Sequence, residues 1–237
     1  MKQRIWELDA FRGICILGMV IVHFVYDLVD LYRIIPWEYP AWFRFVKDWG
    51  GVLFLLISGI SATLGRRSVR RGLIVFACGL IVSAVTYGMY RLGFAGKGII
   101  IYFGVLQCLG TCMILWPVFK KLPRWALLIL GVCFVALGLW MDAQSGVQTY
   151  FLMPLGLPWA GFVSSDYFPI FPNLGYFLVG AALGRTVYAS KQTLLSKVND
   201  NGAILRFLCG CGRHSLWIYL LHQPILSGLS MLLDQFL

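Results

Sequence analysis

The chain has 237 residues, of which 59% are hydrophobic, 16% aromatic and only 13% charged, whereas a soluble domain carries about 25% charged residues. No soluble core of this length buries so much apolar surface, so the composition excludes a soluble domain and indicates one all-α polytopic bundle in a membrane, with residues 1–237 as a single domain. The net charge of +10 does not call for a nucleic-acid partner, because the basic residues fall in short groups between apolar runs rather than on one face interleaved with aromatics.

A span needs about 17–25 mainly apolar residues. Seven stretches qualify: about 12–31, 50–65 (lengthened by an aromatic approach from residue 41), 72–91, 99–118, 125–141, 171–188 and 214–234. Lys2 and Arg4 precede an apolar run as in a signal peptide, but Glu7, Asp9 and Arg12 interrupt it and no small-residue cleavage site follows, so the segment reads as retained. With the N-terminus cytoplasmic, 15 of the 20 Lys and Arg residues fall on the inner side, Lys2, Arg4 and Lys197 among them. Arg33, Arg44, Lys47, Arg91 and Lys97 remain outside. This asymmetry predicts the N-terminus in and the C-terminus out.

Two outer loops, 32–49 and 142–172, are rich in Trp, Tyr and Pro, as suits segments at headgroup level; they read as anchors or as a lid over an outward-opening site. Gly180 and Gly184 in "GYFLVGAALG" form a small-xxx-small face for close helix packing. The seven cysteines lie mostly in apolar runs, where a free thiol behaves as a small apolar group. Neither the Cys209/Cys211 nor the Cys108/Cys112 spacing matches a zinc motif, and no metal is expected.

The first span carries the chemistry in "LDAFRGICILGMVIVHFVYD". Eleven positions separate Arg12 from His23, close to three helical turns, so the two share a face about 16 Å apart along the axis, with Asp27 one turn further. Ionisable groups at this depth are costly and line cavities or pathways by default. A carboxylate beside a histidine can fix its tautomer for general-base work; a buried His–Asp hydrogen bond that merely packs helices fits the same spacing.

Ser215, Tyr219 and His222 share one face of the closing helix. His222 reads either as a contact to the reacting group or as a hydrogen bond to another helix. Gln107 is the only amide in the fourth span and needs a partner in hydrocarbon, so it is a candidate cavity lining. Asp166 and Asn173 bracket "YFPIFP" at the outer face.

The stretches "ELDAFRGICILGMVIVHFVYD", "LFLLISGISATL" (53–64), "SSDYFPIFPNLGYFLVGAALG" (164–184) and "GRHSLWIYLLHQPI" (212–225) together resemble the bacterial family named for the heparan-alpha-glucosaminide N-acetyltransferase catalytic domain. The Arg12-to-His23 spacing and "SLWIYLLHQP" are also similar to the integral-membrane O-acyltransferases of acyltransferase family three, whose essential pair is an Arg and a His on the first span. That family carries an Arg-x-x-Arg motif after its next span, matched by Arg67 and Arg70 in "RRSVRR", with Arg71 adjacent.

The resemblance implies transfer of an acyl group, most often acetyl, from cytoplasmic acetyl-CoA or another acyl-CoA to a sugar or envelope glycan at the outer face of a bacterial inner membrane. Arg12, Arg67, Arg70 and Arg71 would hold the CoA phosphates through guanidinium forks, His23 would be the general base and Asp27 its orienter. Asp166, Asn173, Gln107, Tyr219 and His222 would contact substrate. In the eukaryotic heparan enzyme the acting histidine lies in the outer loop, and residues 28–52 contain no His; direct attack of the acceptor on the thioester is therefore preferred to a relay through an acyl-histidine, with both routes open. The chain is shorter than most members of both families, which a smaller acceptor site or a homodimer would offset. The rival readings are a proton-coupled transporter or flippase using His23 and Asp27, and a scaffold whose histidines only pack.

Overall fold

The computed structural model describes residues 5–94, 96–144, 150–195 and 202–236. Lys2, Arg4 and Lys197, placed on the inner side by the charge pattern, lie outside the described residues, as does part of the 142–172 loop. Eight α-helices carry the described fold: α1 (Trp6–Tyr26, continued by a π-turn at Asp27–Leu31), α2 (Ala41–Leu64), α3 (Ser68–Arg91), α4 (Val105–Phe119), α5 (Arg124–Asp142), α6 (Ile170–Val187), α7 (Ala203–Arg213) and α8 (Ser215–Phe236). Short 3₁₀ turns occupy Lys97–Ile99 and Met153–Leu155. Among the described residues the only β-type pairing is an isolated bridge between Phe103 and Tyr167.

Among the described residues, five helical segments are long and apolar enough to cross a membrane: Trp6–Leu31, Ala41–Leu64, Ser68–Arg91, Arg124–Asp142 and Ser215–Leu233. The protein is an integral membrane protein. The other two stretches expected to span fold as α4, of 15 residues, and α6, of 18 residues and carrying Pro172, Asn173 and Arg185. Helix α2 starts at Ala41, so the outer loop expected over 32–49 is confined to 32–40. The Pro40 carbonyl accepts from the N–H groups of both Phe43 and Arg44 and starts the helix there. Trp42, Phe45 and Trp49 on this first stretch are exposed, as aromatics at a membrane interface are.

The chain forms two compact units, Met1–Phe54 with Ser190–Leu237, and Leu55–Ala189. In the first, α1 and α7 run antiparallel and touch through glycines. A Cβ on Gly13 would fall on the Leu208 carbonyl, and one on Gly212 would fall on the Asp9 carbonyl. Such contact stabilises helices in lipid through close backbone approach, since burial of apolar surface offers little there. Helix α7 lies in the stretch read from sequence as a connecting segment. Its Cys209 is buried, with Sγ 3.5 Å from the Trp6 carbonyl. The Glu7 carboxylate accepts from Thr193 Oγ1 (2.7 Å) and from the Leu194 N–H (2.8 Å), tying the start of α1 to the segment before α7. Helix α8 runs parallel to α1: His222 faces His23, Gln223 reaches Asp27, and the Ser227 carbonyl accepts from the Tyr32 hydroxyl. The start of α1 and the end of α8 therefore lie at opposite ends of this unit.

In the second unit the antiparallel pairs α3–α4 and α5–α6 are again closed by small residues, Gly72 against Gly110 and Gly131 against Gly175. Half of α6 is buried, including Phe177 and Leu178. Its Gly180 and Gly184 meet Leu56 and Ile60 of α2, the close packing that their spacing suggests. The outward faces of α3 and α5 expose Ile81, Val85, Leu139 and other large apolar side chains, which is the pattern of a surface solvated by lipid.

Candidate active site

The apolar run 13–26 forms a helix because nothing in it competes with the backbone ladder, and that ladder decides how His23 is held. The His23 Nδ1 lies 2.9 Å from the Met19 carbonyl, one turn back on its own helix. A carbonyl oxygen only accepts, so Nδ1 carries the hydrogen and Nε2 is the lone-pair nitrogen. His222 on α8 is held in the same way, its Nδ1 2.5 Å from the Tyr219 carbonyl. The two rings meet edge to face, with centroids 5.0 Å apart and planes at 79°. The Tyr219 ring stands 5.4 Å from His222. His222 is 9% exposed, and its Nε2 has no hydrogen-bond partner among the described residues.

Asp27, at the first residue of the π-turn, is fully buried. The side-chain amide of Gln223 donates to both of its oxygens, at 2.9 and 3.1 Å. The i, i+4 spacing suggested that Asp27 would orient His23. In the structure the Met19 carbonyl does that, and the Asp27 carboxyl binds α8 instead. Gln223 is thus a site residue that sequence reasoning passed over. Its position next to His222 was visible, but its partner lies 196 residues away.

Beyond the π-turn the chain encloses an open groove of about 560 Å³ lined by Val29, Asp30, Arg33, Ile35, Pro36, Trp37 and Glu38. Asp30 accepts a 2.6 Å hydrogen bond from Tyr39. Burial first, then this bond to Asp30, pushes the Tyr39 phenol up, so the hydroxyl remains a donor. Arg33 bends the chain at φ 54°, a left-handed conformation uncommon for a residue with a side chain.

The arginines divide between the units. Arg12 pairs with Asp9 at 3.3 Å on α1, both side chains 15% exposed. Arg67, the N-cap of α3, and Arg70 and Arg71 in its first turn are all exposed. Cations at a helix N-terminus oppose the macrodipole, so these arginines do not serve helix stability.

Gln107, Asp166 and Asn173 gather in the second unit, where each is built into the frame. The Gln107 oxygen accepts from the Gly104 N–H (3.0 Å), and its amide nitrogen lies 3.0 Å from the Gly79 carbonyl and 2.6 Å from Ser83 Oγ. Asp166 accepts from the Val105 N–H at 3.0 Å, capping α4 from 61 residues away. Asn173 donates to the Pro169 carbonyl at 2.7 Å. The structure therefore brings His23, Asp27, Tyr219 and His222 together in one unit and sets these three around the start of α4 and α6 in the other.

An all-helical membrane protein in which a part-buried and a buried imidazole face each other, each with Nδ1 held by a carbonyl of its own helix, has the parts of an intramembrane acid–base catalyst. The chain belongs to the family described as heparan-alpha-glucosaminide N-acetyltransferase, catalytic, whose model matches residues 4–224. That span reaches into both units and includes His23, Asp27, His222 and Gln223. Membership implies membrane acetyltransferase activity. No curated protein and no solved structure matches the chain.

Proposed function

We propose that the protein is a transmembrane acyltransferase that moves an acetyl group from cytoplasmic acetyl-CoA to a hydroxyl or amino group of a sugar or envelope glycan at the outer face of a bacterial inner membrane. The observation that carries this reading is the tautomer lock on His23: with Nδ1 on the Met19 carbonyl, Nε2 is the basic nitrogen. A general base within reach of the acceptor accelerates such a step by roughly 10²–10⁴-fold. The base removes the acceptor proton as the oxygen or nitrogen attacks the thioester carbonyl. Asp27, gripped by Gln223, fixes α1 against α8 and so sets the distance between the two rings.

The family resemblance, rather than any geometry between the units, carries over Arg12 and, separately, Arg67, Arg70 and Arg71 as guanidinium donors suited to CoA phosphates. The eleven residues from Arg12 to His23 rise about 16 Å, the order of an extended pantetheine arm. The groove at Asp30, Arg33, Trp37 and Glu38 offers polar groups and one exposed indole to a sugar approaching from outside. The parallel course of α1 and α8 fits a chain with N-terminus in and C-terminus out, and hence an odd number of spans, seven with α4 and α6 counted. Gln107, Asp166 and Asn173 hold the frame of the second unit.

The test is transfer of labelled acetyl from acetyl-CoA to glucosamine in inverted membrane vesicles. Wild-type protein transfers and His23→Ala does not. Proton-coupled solute uptake that needs no acyl-CoA would overturn this reading in favour of a transporter.

A further inference from the structure

The histidine pair holds more than one base needs. His222 comes from the opposite end of the sequence, yet it meets His23 at 5.0 Å and is fixed by the same nitrogen. Its Nε2 is buried without a partner. Buried polar atoms in native structures are nearly always hydrogen-bonded, and an exception calls for a role. With both Nδ1 atoms bonded to carbonyls of their own helices, Nε2 is the position through which either ring exchanges a proton.

We infer that His222 is a second catalytic residue, the acid that protonates the departing CoA sulfur. This rests on the acyltransferase reading above. The need for it is physical: a thiolate expelled between apolar helices is a charge in a medium that solvates it poorly. As the acceptor oxygen or nitrogen attacks the carbonyl carbon, its proton moves to His23 Nε2. The proton passes to His222 Nε2. The C–S bond then breaks with its electron pair on sulfur, and sulfur takes the proton from His222. One C–O or C–N bond and one S–H bond form, one C–S and one O–H or N–H bond break, and both imidazoles return neutral.

The test uses the full chain in lipid nanodiscs and compares acetyl-CoA with Se-acetyl seleno-CoA, whose selenolate leaves without a proton. Glucosamine is the acceptor probe, and release of CoA or seleno-CoA is measured. His222→Asn keeps an amide donor for the Tyr219 carbonyl and has no atom in place of Nε2. Its kcat falls about 10²-fold with acetyl-CoA but no more than about threefold with the selenoester, since only the first reaction lost its acid. His23→Asn loses activity with both donors, because the acceptor must still be deprotonated. The ratio between donors does not depend on the folded fraction of the variant, so partial misfolding leaves the comparison intact. An equal loss with both donors, or no loss with either, overturns the role of His222 and leaves the acyltransferase reading standing. No release from wild-type protein with either donor, in glucosamine or in water alone, overturns both.

Discussion

Replacing Gln223 by Leu removes the amide that holds Asp27. The lost contacts are two, at 2.9 and 3.1 Å, to a carboxyl with no solvent exposure. Hydrogen bonds to charged groups contribute about 1.5–3 kcal/mol, and a buried group left without its partner adds its desolvation penalty. The expected loss is therefore about 2–4 kcal/mol. For a chain of this size that corresponds to a fall in Tm of roughly 5–15 °C. Adding Asp27→Leu removes the orphaned carboxyl, so the double variant recovers most of the loss, because replacing both partners by apolar groups is nearly neutral. Thermal unfolding in detergent, followed by tryptophan fluorescence for wild type, both single variants and the double, closes the cycle. Additive losses would refute the argument, since they would mean that the two side chains do not depend on each other.

Four further outcomes follow from the same contacts. Gly13→Ala and Gly212→Ala each force a Cβ onto a carbonyl of the facing helix, whereas Gly18→Ala meets nothing within 4 Å; the first two lose about 1–3 kcal/mol of unfolding free energy and the third loses none. Gln107→Leu breaks the contacts to Gly104, Gly79 and Ser83 and lowers unfolding free energy by about 1–3 kcal/mol. Asp166→Ala removes the cap on α4, at a cost of about 0.5–2 kcal/mol, and kcat per folded molecule is unchanged; a large fall in kcat would mark Asp166 as an acceptor contact instead. Tyr39 has its phenol pushed up on folding, so its contribution is complete below the ordinary phenol value and is lost progressively as pH rises from there toward the raised folded value. Wild-type Tm therefore falls as pH rises above about 10, and Tyr39→Phe falls less steeply there.

The helices were legible wherever lipid is the solvent, because a spanning segment must satisfy its backbone internally and present apolar side chains outward. Helices α1, α3, α5 and α8 begin and end within a few residues of the apolar runs, except where α1 and α3 take in polar first turns with Glu7, Asp9 and Arg70. Helix α7 was missed, because its 11 residues are short and its contact with α1 depends on Gly13 and Gly212, which no periodicity marks. In the site, the face shared by Arg12, His23 and Asp27 was legible from helical period alone. The partner of each polar atom was not. Met19 took the His23 hydrogen bond expected of Asp27 because a helix carbonyl one turn back lies within reach of Nδ1. Asp166 read as a substrate contact at the outer face, and its bond to the start of α4, far away in sequence, was not visible. The pairing of His222 with His23 needs the parallel register of α1 and α8, which only the folded chain supplies.

The most direct test of the account is a pair of measurements on one preparation of His23→Asn: calorimetric binding of acetyl-CoA and the rate of acetyl transfer to glucosamine. Binding is expected at wild-type affinity, with transfer slowed by about 10²–10⁴-fold. Transfer at the wild-type rate would contradict the role of His23 as the base.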